Sequence, residues 1–401
     1  MEPDVVLSIA RVTTATRSGF THLMRVLCIA RDVVGSIRLA GLKAVTGVAM
    51  GLVVALGCNE PTAARRGAPF RLEVAYDFPS LAASDFITAF DFAGDGTLWV
   101  VSFQGAIIRV KNGEATRFDG ASILGAAPVR DLFIDGAGRP WVTGGGVLAV
   151  FQNDDWSRQG PSDYMGLSPK AGQVAVNGAG DVLLGVGDAD AGGLLLRRGG
   201  RWQVITPTNS TLPSPLVYEI EVGGDGSFWV ASAQFQGNGG LSRVVAGDVT
   251  SVFDKARTGL LYNWVDDIAV AGDRIWLGFA APIYDEPDVA EGGIQELRLS
   301  RGVPDTLYPA DTRLISNRVR SLVWSKAGEL WFTTSVDADE GRCRTCVAGI
   351  GVIDTARRFH ILSSLNSDIA PNEFLPYIRE APDGTIHVAR AERRQIVRVV
   401  R

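Results

Sequence analysis

From residue 70 onward the apolar residues come in short runs cut by Gly-rich turns, a pattern that predicts many short strands and few long helices. The runs repeat. Apolar residues three apart recur as Ile87/Phe90, Val129/Leu132, Val217/Ile220, Val265/Ile268, Val319/Leu322 and Leu375/Ile378. A turn-and-strand word follows each: GDGTLWV at 94–100, GAGRPWV at 136–142 and GDGSFWV at 224–230. Weaker copies stand at 272–277 and 327–332, and degenerate ones at 180–184 and 383–388. The aromatic slot of the word falls at 99, 141, 183, 229, 276, 331 and 387, and five of the nine Trp occupy it. A third strand opens on Gly193, Gly240 or Gly293, and a fourth carries an aromatic, at Phe118, Trp156, Trp202, Phe253, Tyr308 and Phe359. Four antiparallel strands recurring every ~40–50 residues predict an all-β propeller, because a lone blade cannot bury both its faces.

Seven copies give seven blades; six or eight follow if a degenerate copy is misread. The last copy ends after its third strand, QIVRVV at 395–400. Its missing fourth strand is expected from FRLEVAY at 70–76, where Phe70, Leu72, Val74 and Tyr76 alternate with Arg71, Glu73 and Ala75 as in a half-buried strand. The propeller is therefore expected over 70–401.

The first 60 residues read differently. An uncharged run at 44–57, preceded by Arg38 and Lys43, is a positive region followed by an apolar one too short to span a bilayer. It ends in VALGC at 54–58, which resembles a bacterial lipobox with Ala55 where Leu is more typical. The resemblance implies cleavage before Cys58 and lipidation of its thiol. Residues 1–57 are then a signal peptide, or 24–57 if translation starts at Met24, the start suggested by Glu2, Asp4 and the lack of a sustained apolar run in 1–23; 58–69 are the lipidated Cys and a flexible tether. Asn59 in place of Asp implies the outer membrane where the cell has one. The alternative is an ordinary buried helix with a chance Cys.

Composition narrows the function classes. Hydrophobic residues at 46% and charged ones at 21% mark a globular chain, and 47 Gly with 18 Pro fit a turn-rich one. A net charge of −5 and three His argue against a nucleic-acid partner and a His-rich metal centre.

The order V-x-x-I, D-G-x-L-W, G-G-L, aromatic strand, with L-x-x-N linkers at 260–263 and 314–317 and an Ile-led copy at 369–372, resembles the two-component-regulator propeller repeat. That resemblance covers 70–401 and implies a ligand-binding sensor outside the cytoplasm. In that family a membrane span and a histidine kinase follow the propeller; neither is found here, so kinase signalling is not carried over. The GELWFT word at 328–333 is similar to those of streptogramin lyases, which implies chemistry by a His and a carboxylate near Mg²⁺. Only His360 and His387 lie beyond Cys58, and both read as structural.

Candidate sites fall in three places. The inner-strand starts bring Arg130, Asp131, Tyr218, Asp266, Asp267, Arg320 and Arg379 to a channel mouth, where mixed charge suits a zwitterion or sugar-like ligand. Ion pairing between blades is the alternative. Long loops between second and third strands form an acidic crown with Asp188, Asp190, Asp285, Glu286, Asp288, Glu291, Asp337, Asp339 and Glu340. Its oxygens could hold Ca²⁺ or Mg²⁺ or draw a cationic partner, against a plain solvated rim. Cys343 and Cys346 in the blade-six insertion suit a local disulfide. No Ser-His-Asp, Cys-His or phosphate-cradling motif can be assembled. The expected function is a membrane-anchored extracytoplasmic module that binds a small molecule or an envelope protein and needs no cofactor. The alternatives are a metal-dependent lyase or hydrolase at the channel mouth, and a structural scaffold of an envelope complex.

Overall fold

The computed structural model describes residues 70–401 except 126–127, 161–163, 168–169, 189, 234–237, 280–292, 302–303, 310–317, 335–347 and 365. It is an all-β propeller of seven four-stranded antiparallel sheets. Blade 1 runs outward through Ile87–Phe92, Leu98–Ser102, Ala106–Lys111 and Glu114–Asp119. The inner strands of blades 2 to 7 are Asp131–Ile134, Ala171–Val176, Val217–Val222, Val265–Ala271, Val319–Trp324 and Ile378–Glu380. Among the described residues helix is confined to single turns such as Gly120–Leu124 and Lys255–Thr258.

The Gly-rich word makes the same turn in six blades. In blade 1 Ala93 N donates to Thr97 O at 2.9 Å, Asp95 caps Thr97 N at 3.0 Å, and Gly96 takes φ +83°. That is a three-residue hairpin whose last residue must be left-handed, which is why Gly recurs at this place. Blade 5 shortens the loop to the two residues Gly272 and Asp273.

Apolar burial lies between blades. Seven separate clusters fill the seven interfaces, and the Trp of the repeated word anchors five of them. Trp99 of blade 1 meets Phe151 and Trp156 of blade 2 at 5.1 and 5.9 Å between ring centres. Trp276 of blade 5 stacks on Trp324 of blade 6 at 4.0 Å. His387 fills the slot in blade 7, buried between Tyr76 and Phe92. His360 sits in the outer strand Phe359–Ser363, 3.4 Å from Asp354.

The ring closes as the sequence suggests. Arg71–Asp77 pairs antiparallel with Gln395–Val400, Arg71 opposite Val400 and Asp77 opposite Gln395. Its alternation is broken, however. The register shifts between Val74 and Tyr76, and Val74 is 55% exposed. Phe70 and Leu72 therefore pack toward blade 6, Phe70 edge-on to Trp331 at 5.3 Å, whereas Tyr76 packs toward blade 1. A bulge lets one outer strand serve two interfaces.

Candidate functional site

The spacing of three between apolar residues of the inner strands has a local cause. In blade 1 Ile87 faces Ser102 and Ala89 faces Val101, leaving Thr88 out of the ladder. Blades 4, 5 and 6 bulge identically at Tyr218, Asp266 and Arg320. Blade 3 bulges across Gly172 and Gln173. A bulge re-aims its side chain. Here it turns Thr88, Tyr218, Asp266 and Arg320 into the axial channel, where with Arg130 and Gln173 they line a cavity of about 290 Å³ at the end where the inner strands begin.

One wall of that cavity is aromatic. Phe86 and Phe103 stack at 4.7 Å, Phe374 meets Phe86 edge-on at 6.3 Å, and Tyr377 continues the wall. The stack is held from behind. Buried Asp85 accepts from Ser102 Oγ at 2.7 Å and from the backbone N–H groups of Phe86 and Gln104 at 2.9 Å each, fixing the segments on both sides of the pair. Phe103 nevertheless stays 46% exposed.

The charges are layered. At the mouth Asp266 Oδ2 lies 3.7 Å from Arg318 Nε and from Arg320 Nη1, and the Arg320 guanidinium sits 5.8 Å over Phe374. Arg130 is exposed and makes no side-chain ion pair or hydrogen bond with a described residue. One step down, three side chains latch each blade to its successor. Asp131 accepts from Val174 N at 2.9 Å, Asp267 from Leu322 N, and Ser321 Oγ from Ile378 N at 3.3 Å. Glu219 lies at the same level, yet its carboxylate makes no hydrogen bond to a described residue. Deeper still, Arg379 donates to Ser321 Oγ and Ile378 O, near Asp91 and Glu221.

These groups keep some surface open to a narrow channel, but protein surrounds them on every side. Their ionisation therefore follows a deep site. Burial pushes Asp131 and Asp267 up to about 6 and Glu221 up to about 8. It drives Glu219 well above the usual carboxylate range, with repulsion from Asp267 and Asp131 adding to it. Burial opposes the charge on Arg379, and the carboxylates of Asp91, Asp267 and Glu219 overcome that and raise it. The channel thus carries free cationic charge at its mouth and excess carboxylate below.

Of the residues expected at the mouth, Arg130, Tyr218, Asp266, Asp267 and Arg320 line the cavity, and Asp131 and Arg379 lie along the same channel. Phe86, Phe103, Phe374, Tyr377 and Glu219 were not anticipated. Phe86 and Phe374 each stand just before the first apolar residue of the inner-strand pattern, and Glu219 is the second of its two intervening residues. In the crown, Asp188 closes its own loop by accepting from the N–H groups of Asp190 and Ala191 and pairs with Lys170 at 2.8 Å, while Asp190 is exposed. Asp285, Asp288, Asp337 and Asp339 lie outside the described residues, as do Cys58, Cys343 and Cys346. Among the described residues no group of three or more His, Cys, Asp or Glu is arranged to hold a metal ion, and no helix is long and apolar enough to cross a membrane.

No protein-family model and no curated protein matches the chain. Solved structures do. The virginiamycin B lyase of Staphylococcus aureus is similar at a TM-score of 0.60 with 15% identity, over 83% of this chain and 99% of the other. A streptogramin B lyase gives 0.59 and 14% over 82% and 97%. The extracellular domain of a hybrid two component system from B. thetaiotaomicron gives 0.57 and 15% over 83% of this chain and 40% of that one. At such identities the likeness establishes the fold: a seven-bladed propeller of a kind used both in lyases and in extracellular domains of two component systems.

Proposed function

We propose that the protein is an extracytoplasmic, lipid-anchored propeller that binds a ligand at its channel mouth. The observation that carries this reading is the cavity itself. It presents an exposed Phe103, an Arg130 with no described partner and a Glu219 with no hydrogen bond, three groups the fold leaves unused at one place. Convergent polar groups beside an aromatic wall are what a small-molecule site requires. The similarity to an extracellular domain of a two component system supports the same reading. It is tested by thermal shift against a metabolite panel: a compound that raises Tm for the wild type and not for Phe103→Ala supports it, and binding that ignores this substitution overturns the assignment of the mouth.

The anchor rests on the lipobox-like run ending at Cys58. Cys58→Ser should leave an uncleaved or soluble product in place of a membrane-associated mature protein. Wild-type protein found free after ordinary signal cleavage would sink the anchor.

A lyase is the second reading, favoured by the nearly complete coverage of the two lyase structures. One of the solved lyase structures is a catalytically inactive His-to-Ala variant with quinupristin. In this chain His387 is packed into an interblade core and His360 lies on an outer strand, so neither lines the cavity. Metal-dependent turnover of quinupristin by the wild type, lost in Asp267→Asn, would favour the lyase.

A further inference from the structure

We infer that the channel mouth takes a small amphoteric molecule with an aromatic body, of the size and charge pattern of a free aromatic amino acid. This rests on the reading of the mouth as a ligand site and specifies what fills it.

Four features of the cavity point the same way. Its volume of about 290 Å³ suits one amino-acid-sized molecule and excludes a disaccharide or longer chain. Its rim carries an exposed guanidinium, Arg130, with no described partner, and a guanidinium fork is matched to a carboxylate. Its lining includes the Glu219 carboxyl, which unlike those of Asp131 and Asp267 is not spent on latching the next blade. Burial and its acidic neighbours hold that carboxyl protonated while no donor reaches it, and a ligand ammonium supplies three donors and the positive charge that lets it ionise. The same cavity is walled by Phe86 and Phe103, stacked on each other and held by Asp85, so that an aromatic ring can extend the stack while both charges of the ligand turn to the polar side. A neutral sugar would meet neither the Arg130 guanidinium nor the Glu219 carboxyl with an opposite charge, and a simple amine or acid would meet only one of them. Paired groups nearby, Asp266 with Arg318 and Arg320, are already neutralised and make no comparable demand.

The test is calorimetric titration of the full chain in detergent with L-phenylalanine, phenethylamine, 3-phenylpropionate and glucose. L-phenylalanine should bind, each singly charged analogue should be weaker by roughly ten- to a hundredfold, and glucose should give no heat. Arg130→Ala should reduce L-phenylalanine to the level of phenethylamine, with Arg130→Lys recovering part of the loss. Glu219→Gln should reduce it to the level of 3-phenylpropionate. Circular dichroism and Tm confirm that the variants are folded. Equal binding of L-phenylalanine and either analogue overturns the inference, as does binding that survives both substitutions. Binding of glucose alone, lost in Phe103→Ala, overturns the amphoteric ligand while leaving the mouth a ligand site. No binding by any of the four overturns the inference, and the wider metabolite panel then judges the site separately.

Discussion

Between blades 6 and 7, Trp331, Ile350, Ile378 and Phe70 bury one another almost completely. On the axial side of the same inner strands, Arg320 lines the open cavity, and Arg379 lies deeper among carboxylates and donates to buried Ser321. The two regions share a backbone and differ in what the repeat asks of them. In the interblade cores the same residue type returns at the same place in nearly every blade, because each interface must be filled to interior density. In the channel the lining residue changes from blade to blade, through Thr88, Arg130, Gln173, Tyr218, Asp266 and Arg320, with no single residue type dominating, since no neighbour has to be filled there. Repetition marks what holds the ring, and its loss marks where the ring has been put to use.

The sharpest way to break the comparison is to open the seam. Deleting residues 70–77 removes Phe70, Leu72 and Tyr76 from two interfaces and exposes the edge of Gln395–Val400. Cooperative unfolding should be lost or Tm should fall further than for any single substitution, whereas deleting 59–67 should leave Tm unchanged. Scanning calorimetry of both truncations decides it, and equal Tm values would refute the seam's importance. Next in size is Trp331→Ala, expected to cost about 3–5 kcal/mol in denaturant unfolding because it empties a filled interface. Gly278→Ala should cost less, about 1–3 kcal/mol, since its new Cβ would lie 2.9 Å from Val319 of the next blade. Val319→Ala in the same chain should recover part of that loss.

On the channel side the expected effects are smaller and depend on pH. Asp131, Asp267 and Glu221 have folded values above their unfolded ones near 4, so the folded chain holds more protons between these limits. Stability should therefore fall as pH rises from about 5 to 8. Glu221→Gln should flatten the upper part of that slope. Below about pH 4 the sign reverses: the Ser227 hydroxyl, with Arg243, holds Asp225 at about 2, and that stabilisation is lost on acidification. Thermal melts across pH 3–9 should show a maximum near pH 5. Smallest of all, Arg130→Ala should change stability by less than about 0.5 kcal/mol while altering ligand response.

The same division governs what could be read from the chain in advance. The Trp slot and the Asp-Gly turn declare themselves because they recur, and the seam followed from one missing strand. Arg130, Tyr218, Asp266 and Arg320 could be placed at the mouth because they sit inside a repeated word, between its apolar residues. Phe103 could not, because it stands in a short loop that matches no other blade. Asp131 and Asp267 looked like ligand groups, yet their carboxylates accept from Val174 and Leu322 and so also tie blades together. A side chain's type was legible; whether a neighbouring backbone N–H had already claimed it was not. The exposure of Val74 was equally hidden, since nothing in an alternating sequence announces a bulge.

The seam also fixes where the chain enters and leaves the ring. Arg71 pairs with Val400, at the ends of their strands farthest from Gln395 and Asp77. Third strands run away from the cavity end, so the chain enters and leaves the ring on the far face. Were the proposed anchor at Cys58 to hold the chain, its pull would come on that face and leave the mouth free toward whatever drifts past. Anything hung on residue 401 would sit on the same side, out of a visitor's path.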